Sequence, residues 1–410
     1  MVEITKMKAE KQKAEKEAFF CTTKELSRLG LEQIPTQFQS HKHLIYSSPA
    51  TLAFNSPGAE GFGVKRAGLA VPDSIMLIVA PGCCGRNTSL ISSMKEYNDR
   101  FYYLMMDETD IVTGRHLKKI PKAVEEICSV CPKKPSVVMI CITCVDALLG
   151  TDMERVCKKA EEQVEIPVRP CYMYALTREG RKPPMVHVRQ SLYSLLEPGK
   201  KKGNVVNLLG FFSPLVDDCE IYDLLHSAGV KTIHEISRCK DYKEYQTMSE
   251  ANFNLVLHHE ARFAAEDFHN RLQIPFIELR RLYQIDKIEN QYHALGNALG
   301  VAFYDEKYKK QAEDALEKFR QKCPDASFAI GECLNADPFE LSLALIRYGF
   351  SVPEIYGTIT VENFTYIRSL AKISPETKVF SNMEPTMIYY DPAKSDVNLA
   401  IGKDACYYHP

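Results

Sequence analysis

No stretch of this chain follows G-x-x-x-x-G-K-[ST], so it carries no P-loop for hydrolysing a nucleotide. No G-x-G-x-x-G follows a strand, which leaves a nicotinamide Rossmann site unsupported. A G-x-S-x-G nucleophile elbow and an H-E-x-x-H zinc helix are also missing. No apolar run approaches the length that spans a bilayer. The opening MVEITKMKAEKQKAEKEAFF is charged and has no apolar h-region, so it does not read as a signal peptide. A cytoplasmic chain is therefore expected. The formal net charge is −2, which gives no basic footprint for nucleic acid or for an acidic membrane surface. Tryptophan is absent, and that decides nothing.

What remains is an ordinary globular composition, 45% hydrophobic and 25% charged. Its 410 residues are enough for two or three domains. The 14 cysteines are spread from Cys21 to Cys406 and do not form a compact disulfide framework. With no secretion signal they read as reduced, and many as small buried apolar residues. The informative ones stand at strand ends and turns.

Along the chain, strand-length apolar runs alternate with helical spacing. SIMLIVA, FYYLMM, SVVMICIT and IPVRPCYMYAL read as strands of a first α/β unit. EPGKKKGN is a basic, Gly-containing linker, after which the pattern restarts with NVVNLLGFF, VKTIHEI, FNLVLHH and IPFIEL. It restarts again with ASFAIGE, VPEIYGTI, KVFSN and NLAIG. The expected fold class is α/β: three tandem Rossmann-like βαβ domains with parallel sheets. The boundaries read are a helical N-terminal extension over 1–45, then α/β domains over 46–200, 201–322 and 323–410.

Two thiol-bearing strand ends stand out between Pro81 and Asp152. APGCCG puts Cys83 and Cys84 in a Gly-flanked turn after a buried strand, and Cys144 ends another strand before a helix. A thiolate near a helix N-terminus has a lowered pKa, which suits a ligand or a nucleophile. Both sites read equally well as packing. Cys128 and Cys131 with Cys141 and Cys144 have a zinc-like spacing. Cys141, however, lies inside an apolar strand and reads as packing. His258 and His259 end a strand of the second unit, where α/β crevices take ligands, or else face solvent at a helix start. Arg86, Arg178, Arg181, Arg280 and Arg281 suit an anionic substrate, or are solvated surface residues.

APGCCG, MMDETDIVTGRHLKKIPKAVEEI, SVVMICITCVDALLGTDMERV and IPVRP together resemble the first domain of nitrogenase component 1. That family includes the molybdenum–iron protein subunits, their cofactor-assembly relatives, the protochlorophyllide reductases and the F430 reductive cyclase. NVVNLLG, DLLHSAG and NFNLVLHHEARFAAEDFHNRLQIPFIE are similar to its second domain, and ASFAIGE to DVNLAIG to the start and middle of its third. The resemblance implies that Cys84 and Cys144, with Cys83 as a neighbour or third ligand, hold a 4Fe–4S cluster at a subunit interface. The substrate crevice among the domains would then include His258, His259 and Arg86.

Three departures shape the expectation. The loop TLAFNSPGAEGFG has no Cys where three-cysteine members carry one. A four-iron cluster takes four ligands, so the cluster would be shared across a homodimer or with a paralogous subunit. Leu257 to His259 has no Cys where the catalytic molybdenum–iron subunit holds its cofactor, so a large iron–molybdenum cofactor is not expected. A second cofactor at the substrate site stays unassigned. The chain stops at Pro410 where larger members continue, a compactness like the tetrapyrrole-type relatives.

The main expectation is an oxidoreductase, the catalytic component of a two-component reductase worked under anaerobic conditions. It takes electrons from an ATP-dependent iron protein that owns the P-loop, and no catalytic residue is assigned. The alternative is a non-catalytic scaffold or carrier for metallocofactor assembly. A third reading keeps the fold with structural cysteines and no metal.

Overall fold

The structure is a computed structural model that describes residues 17–39, 48–54, 59–82, 95, 97–172 and 182–410. Among these, β1 (Phe20–Thr22) is followed by β2 (Ile75–Ala80), β3 (Phe101–Met105), β4 (Val138–Ile142) and β5 (Val168–Tyr172). Next come β6 (Val205–Leu209), β7 (Thr232–His234), β8 (Phe253–Val256) and β9 (Phe276–Glu278). Last are β10 (Ser327–Ile330), β11 (Ser351–Tyr356), β12 (Lys378–Phe380) and β13 (Leu399–Ile401). They form three sheets, ordered β3-β2-β4-β5, β7-β6-β8-β9 and β1-β12-β11-β10-β13. Every pairing is parallel except β1 on β12. The α/β class with parallel sheets is thus the observed one. No helix among the described residues is long and apolar enough to cross a membrane.

Two compact units result. Residues 57–281 with 291–305 make one, holding the first two sheets. Residues 1–56, 282–290 and 306–410 make the other, holding the third.

The first sheet shows why its strands are continuous apolar runs. All six residues of β2 are buried, as a strand covered on both faces requires. Ile75, Leu77 and Val79 join Val138, Ile140 and Ile142 in a core closed by Ile120, Val124 and Ala160 of the helices His116–Val130 and Met153–Val164. The alternate residues Met76, Ile78, Ala80, Met139 and Cys141 face a second core. That core runs through Val188 and Leu192 of the helix Pro184–Tyr193 to Leu209, Val256 and Phe268 of the second sheet's layer. One apolar interior therefore serves both sheets of this unit.

All three sheets reverse direction at one point. The chain leaves β2 for β3 on one side, then returns to place β4 on the other; β6 and β10 do the same. Crevices open outside the carboxyl ends of the strands at such reversals.

The polar N-terminal lead-in contains an element that helical spacing does not reveal. Phe20–Thr22 is a strand, and Phe20, Cys21 and Thr22 pair with Phe380, Val379 and Lys378. Thr22 then caps the helix Thr23–Leu29 with a reciprocal Glu25 contact.

The third sheet closes its own reversal with a carboxylate. Asp404 accepts from the backbone N–H groups of Glu332 (2.9 Å) and Cys333 (3.0 Å) and from Asn382 Nδ2 (2.6 Å). It packs so tightly on Gly331 that a Cβ there would lie 2.0 Å from Asp404 Oδ1. Gly331→Ala should displace Asp404 and lower stability by about 2 kcal/mol or more, read as the urea midpoint by circular dichroism. Gly203→Ala, into open space, should stay within about 0.5 kcal/mol of wild type.

Candidate functional site

The reversal of the first sheet brings together the two strand ends singled out in the sequence. β2 and β4 pair in register, Val79 opposite Ile142, so the chain leaves both at the same edge. From β4 it passes Thr143 into the helix Cys144–Leu149. From β2 it passes Pro81 and Gly82 toward Cys83 and Cys84, which, with Arg86, lie outside the described residues. Tyr103 holds this exit by donating its hydroxyl to the carbonyls of Ala80 (3.1 Å) and Pro81.

A buried polar chain underlies the Cys144 turn. His116 Nε2 is 2.8 Å from Asp146 Oδ1, and His116 Nδ1 is 3.0 Å from the Asp110 carbonyl. A carbonyl only accepts, so Nδ1 carries a proton. The Nε2–Oδ1 contact then needs a second proton, on the ring or on the carboxyl. The Thr151 hydroxyl also donates to Asp146 Oδ1 at 3.0 Å, and the Thr151 N–H to the Asp146 carbonyl at 3.1 Å. His116 and Asp146 are both 1% exposed, a depth at which a lone charge is prohibitive and a pair is tolerated. Asp110 anchors the other end. Lys119 (2.7 Å) and Arg115 (2.8 Å) donate to its carboxylate and hold it well below the usual range.

Two buried oxygens in this turn have no hydrogen-bond partner among the described residues: Thr143 Oγ1 and Asp146 Oδ2. Buried polar atoms are almost always paired, so an open pair on either side of Cys144 needs a reason.

The second reversal has its own cluster. Gly210 follows β6 with φ +136°, and a Cβ there would lie 2.8 Å from His258 Cβ, so the two edges touch. Arg189, buried in the helix Pro184–Tyr193, donates to the Gly210 carbonyl (2.7 and 3.0 Å) and to Glu260 (2.7 Å). Its guanidinium also lies over the Phe212 ring, 4.7 Å from the centroid. These contacts tie the helix Pro184–Tyr193 to the end of β6 and to Glu260, so Arg189 clamps the layers together. His258 and His259 stack with centroids 4.5 Å apart, and Arg281 covers the Phe211 ring. Burial first, then His259, Arg189 and Arg281, lower the His258 pKa to about 4. Its Nδ1 accepts the Glu260 N–H at 3.3 Å, which makes it a neutral imidazole with the proton on Nε2.

The remaining cysteines of the first layer separate. Cys128 and Cys131 pack on the face of the sheet that carries Ile140, whereas Cys141 packs on the opposite face. Cys131 Sγ is 3.1 Å from the Tyr102 hydroxyl. Cys141 pairs in register with Cys171, whose thiol burial pushes well up. The zinc-like spacing therefore does not converge, and Cys141 is packing. Arg178 and Arg181 lie outside the described residues.

Sequence reasoning passed over His116, Asp146 and His187. His187 lines a cleft of about 320 Å³ with Tyr172, Glu154 and Lys182, and burial with Lys182 lowers its pKa to about 4. No local signal marks the contact of His116 with Asp146, because it spans 30 positions.

A family model described as nitrogenase component 1 type oxidoreductase matches residues 60–408. Curated relatives include the nitrogenase iron-molybdenum cofactor biosynthesis protein NifE of Nostoc sp., 25% identical over 66% of this chain and 58% of its own length. NifE of Clostridium pasteurianum is 24% identical over 60% of this chain and 54% of its own. NifE of Sinorhizobium fredii is 24% identical over 87% and 75%. The chain thus spans little more than half the length of the first two. A solved structure titled nitrogenase Cp1 at pH 6.5 superposes with a TM-score of 0.65 over 87% of this chain and 81% of that one, at 18% identity. At that identity the match speaks for the fold alone.

The His258 shift has a measurable sign. Its folded pKa, about 4, lies below the ordinary 6.5, so the unfolded chain binds more protons between these values. The contribution is full above pH ~6.5 and is lost as pH falls toward ~4. Discounted for partial exposure, it should amount to about 1–2 kcal/mol. Urea midpoints should therefore fall between pH 6.5 and 4.5, and His258→Gln should flatten that slope; an unchanged slope refutes the buried neutral imidazole.

Proposed function

The chain belongs to the nitrogenase component 1 type oxidoreductase family, matched over residues 60–408, and from that premise we propose that it is a scaffold or carrier for metallocofactor assembly. The observation that carries this over a reductase is that its relatives from Nostoc, Clostridium and Sinorhizobium are named for cofactor biosynthesis. The reductase expected from the sequence stands second, supported by the oxidoreductase description of the family model.

The course of the chain at the first reversal supports an iron–sulfur reading. Cys144 opens a helix at the end of β4, the chain leaves β2 for Cys83 and Cys84 at the same edge, and two buried unpartnered oxygens flank Cys144. Cys84 and Cys144, with Cys83, would hold a 4Fe–4S cluster, and a second subunit, identical or paralogous, would supply the remaining thiolates. Such a cluster supplies reversible one-electron storage when bound. The chain's own part is to place the thiolates, exclude water and keep the turn rigid through His116, Asp146 and Thr151. The second reversal, with neutral His258 beside His259, Arg86 from the first layer and Arg281, is the proposed resting place of the cargo or substrate. An ATP-dependent iron protein is the proposed electron donor.

Anaerobically reconstituted protein should hold about four irons per dimer and absorb broadly near ~400 nm, bleached by dithionite. Cys84→Ser and Cys144→Ser should each lose most of that iron. An iron-free wild type would remove the cluster reading. With the iron protein and ATP supplied, a scaffold passes its cargo to an apo acceptor without sustained electron consumption. Steady turnover would instead establish the reductase.

A further inference from the structure

We propose that Cys128 and Cys131 form a thiol–disulfide exchange site for a small disulfide that carries carboxylates. The site goes beyond the metallocofactor reading and does not rest on it. The helix His116–Val130 runs through Cys128 and ends at Cys131, whose N–H still donates to the Ile127 carbonyl at 3.0 Å. Pro132 follows and holds Cys131 in extended backbone, φ −63° and ψ 130°. Residues three apart in a helix have Cα atoms about 5 Å apart, inside the ~4.4–6.8 Å that a disulfide spans. Both thiols are free and half-buried. They stand at the amino edge of the first sheet, by the starts of β2 and β3, opposite the edge that carries Cys144.

A cleft of about 340 Å³ opens at this edge, and its walls include Cys131, Tyr102, Arg100, Asp99, Lys133 and Lys134. Cys131 lines it and Cys128 does not, so Cys131 is the attacking thiol and Cys128 the resolving one. The Tyr102 hydroxyl is 3.1 Å from Cys131 Sγ. Its bond to Cys131, then burial, hold Tyr102 above the ordinary phenol range, which keeps the proton on its oxygen. A thiolate only accepts, so Tyr102 donates to the Cys131 thiolate and favours the attacking form. Burial first, then the charge of Cys131, push the Cys128 thiol up, so the two sulfurs sense each other. Lys133 is matched by Asp73 at 2.7 Å. Lys134 has no ion-pair partner among the described residues, and with Arg100 it outweighs Asp99. The cleft therefore carries net positive charge and suits a carboxylate.

The exchange balances. The Cys131 thiolate attacks one sulfur of R–S–S–R, forms a Cys131–S–S–R bond and expels R–S⁻. Cys128, deprotonated, then attacks Cys131 Sγ, closes the Cys128–Cys131 bond and expels the second R–S⁻. The two thiol protons end on the two released thiols, and the chain has passed two electrons to the incoming disulfide.

The test treats the full chain, reduced and kept under argon, with glutathione disulfide, and follows the tryptic peptide Ala123–Lys133 by mass spectrometry. In wild type that peptide should lose two hydrogens. Cys128→Ser should stop at the mixed disulfide on Cys131, and Tyr102→Phe should slow the first step about tenfold. Cystamine, a cationic disulfide, should react more slowly than glutathione disulfide, and Lys134→Gln should narrow that gap. A peptide that stays reduced while the exposed Cys406 is modified overturns the proposal. So do mixed disulfides on both cysteines with no bridge between them. Equal rates with cystamine overturn the recognition of carboxylates. The wild-type peptide needs no substitution, so a variant that fails to fold leaves it decisive. Iron is not read, so the result stands whether or not the cluster reading does.

Discussion

A parallel sheet whose strand order reverses leaves a gap at its carboxyl edge that no crossover helix covers. Among the described residues this chain builds that gap three times, between β2 and β4, between β6 and β8, and between β10 and β13. Each sheet is held by continuous burial of its central strand, as in β2 and β4, where every residue is buried. Such strands have no polar face to spare. Chemistry is therefore pushed to the residues just past the strand ends, and the same burial fixes which ends are neighbours.

The three gaps are finished differently. At β10 and β13, Asp404 fills the space against Gly331 and ties down two backbone N–H groups. At β6 and β8, Arg189 reaches from the preceding layer to the Gly210 carbonyl and Glu260, and the crowding leaves His258 neutral. At β2 and β4, His116, Asp146 and Thr151 brace the turn yet leave two buried oxygens open.

Much of this was legible in the residues. The apolar runs located β2, β4, β6, β8 and β10, because strands covered on both faces cannot hide their composition. The short β1 was not legible: Phe20–Thr22 has no alternation to read over three residues, and it is a strand because β12 offers it an edge. His258 and His259 were found by position, at the end of a strand. His116 and Asp146 were not, since a histidine at a helix start and an aspartate in a short turn look like surface residues until both prove buried. The zinc-like spacing of Cys128, Cys131 and Cys141 was set aside because Cys141 lies inside an apolar strand, and the sheet agrees: Cys141 faces one core, and Cys128 and Cys131 the other.

The sequence by itself determined the α/β class, the parallel strands and the two thiol-bearing strand ends, because those depend on local hydrophobic pattern and turn chemistry. Tertiary structure alone decided that β4 lies beside β2, that His116 meets Asp146 across 30 residues, and that Arg189 clamps one layer to the next. These are long-range choices. They are made by which faces bury together, and no window of sequence contains both partners.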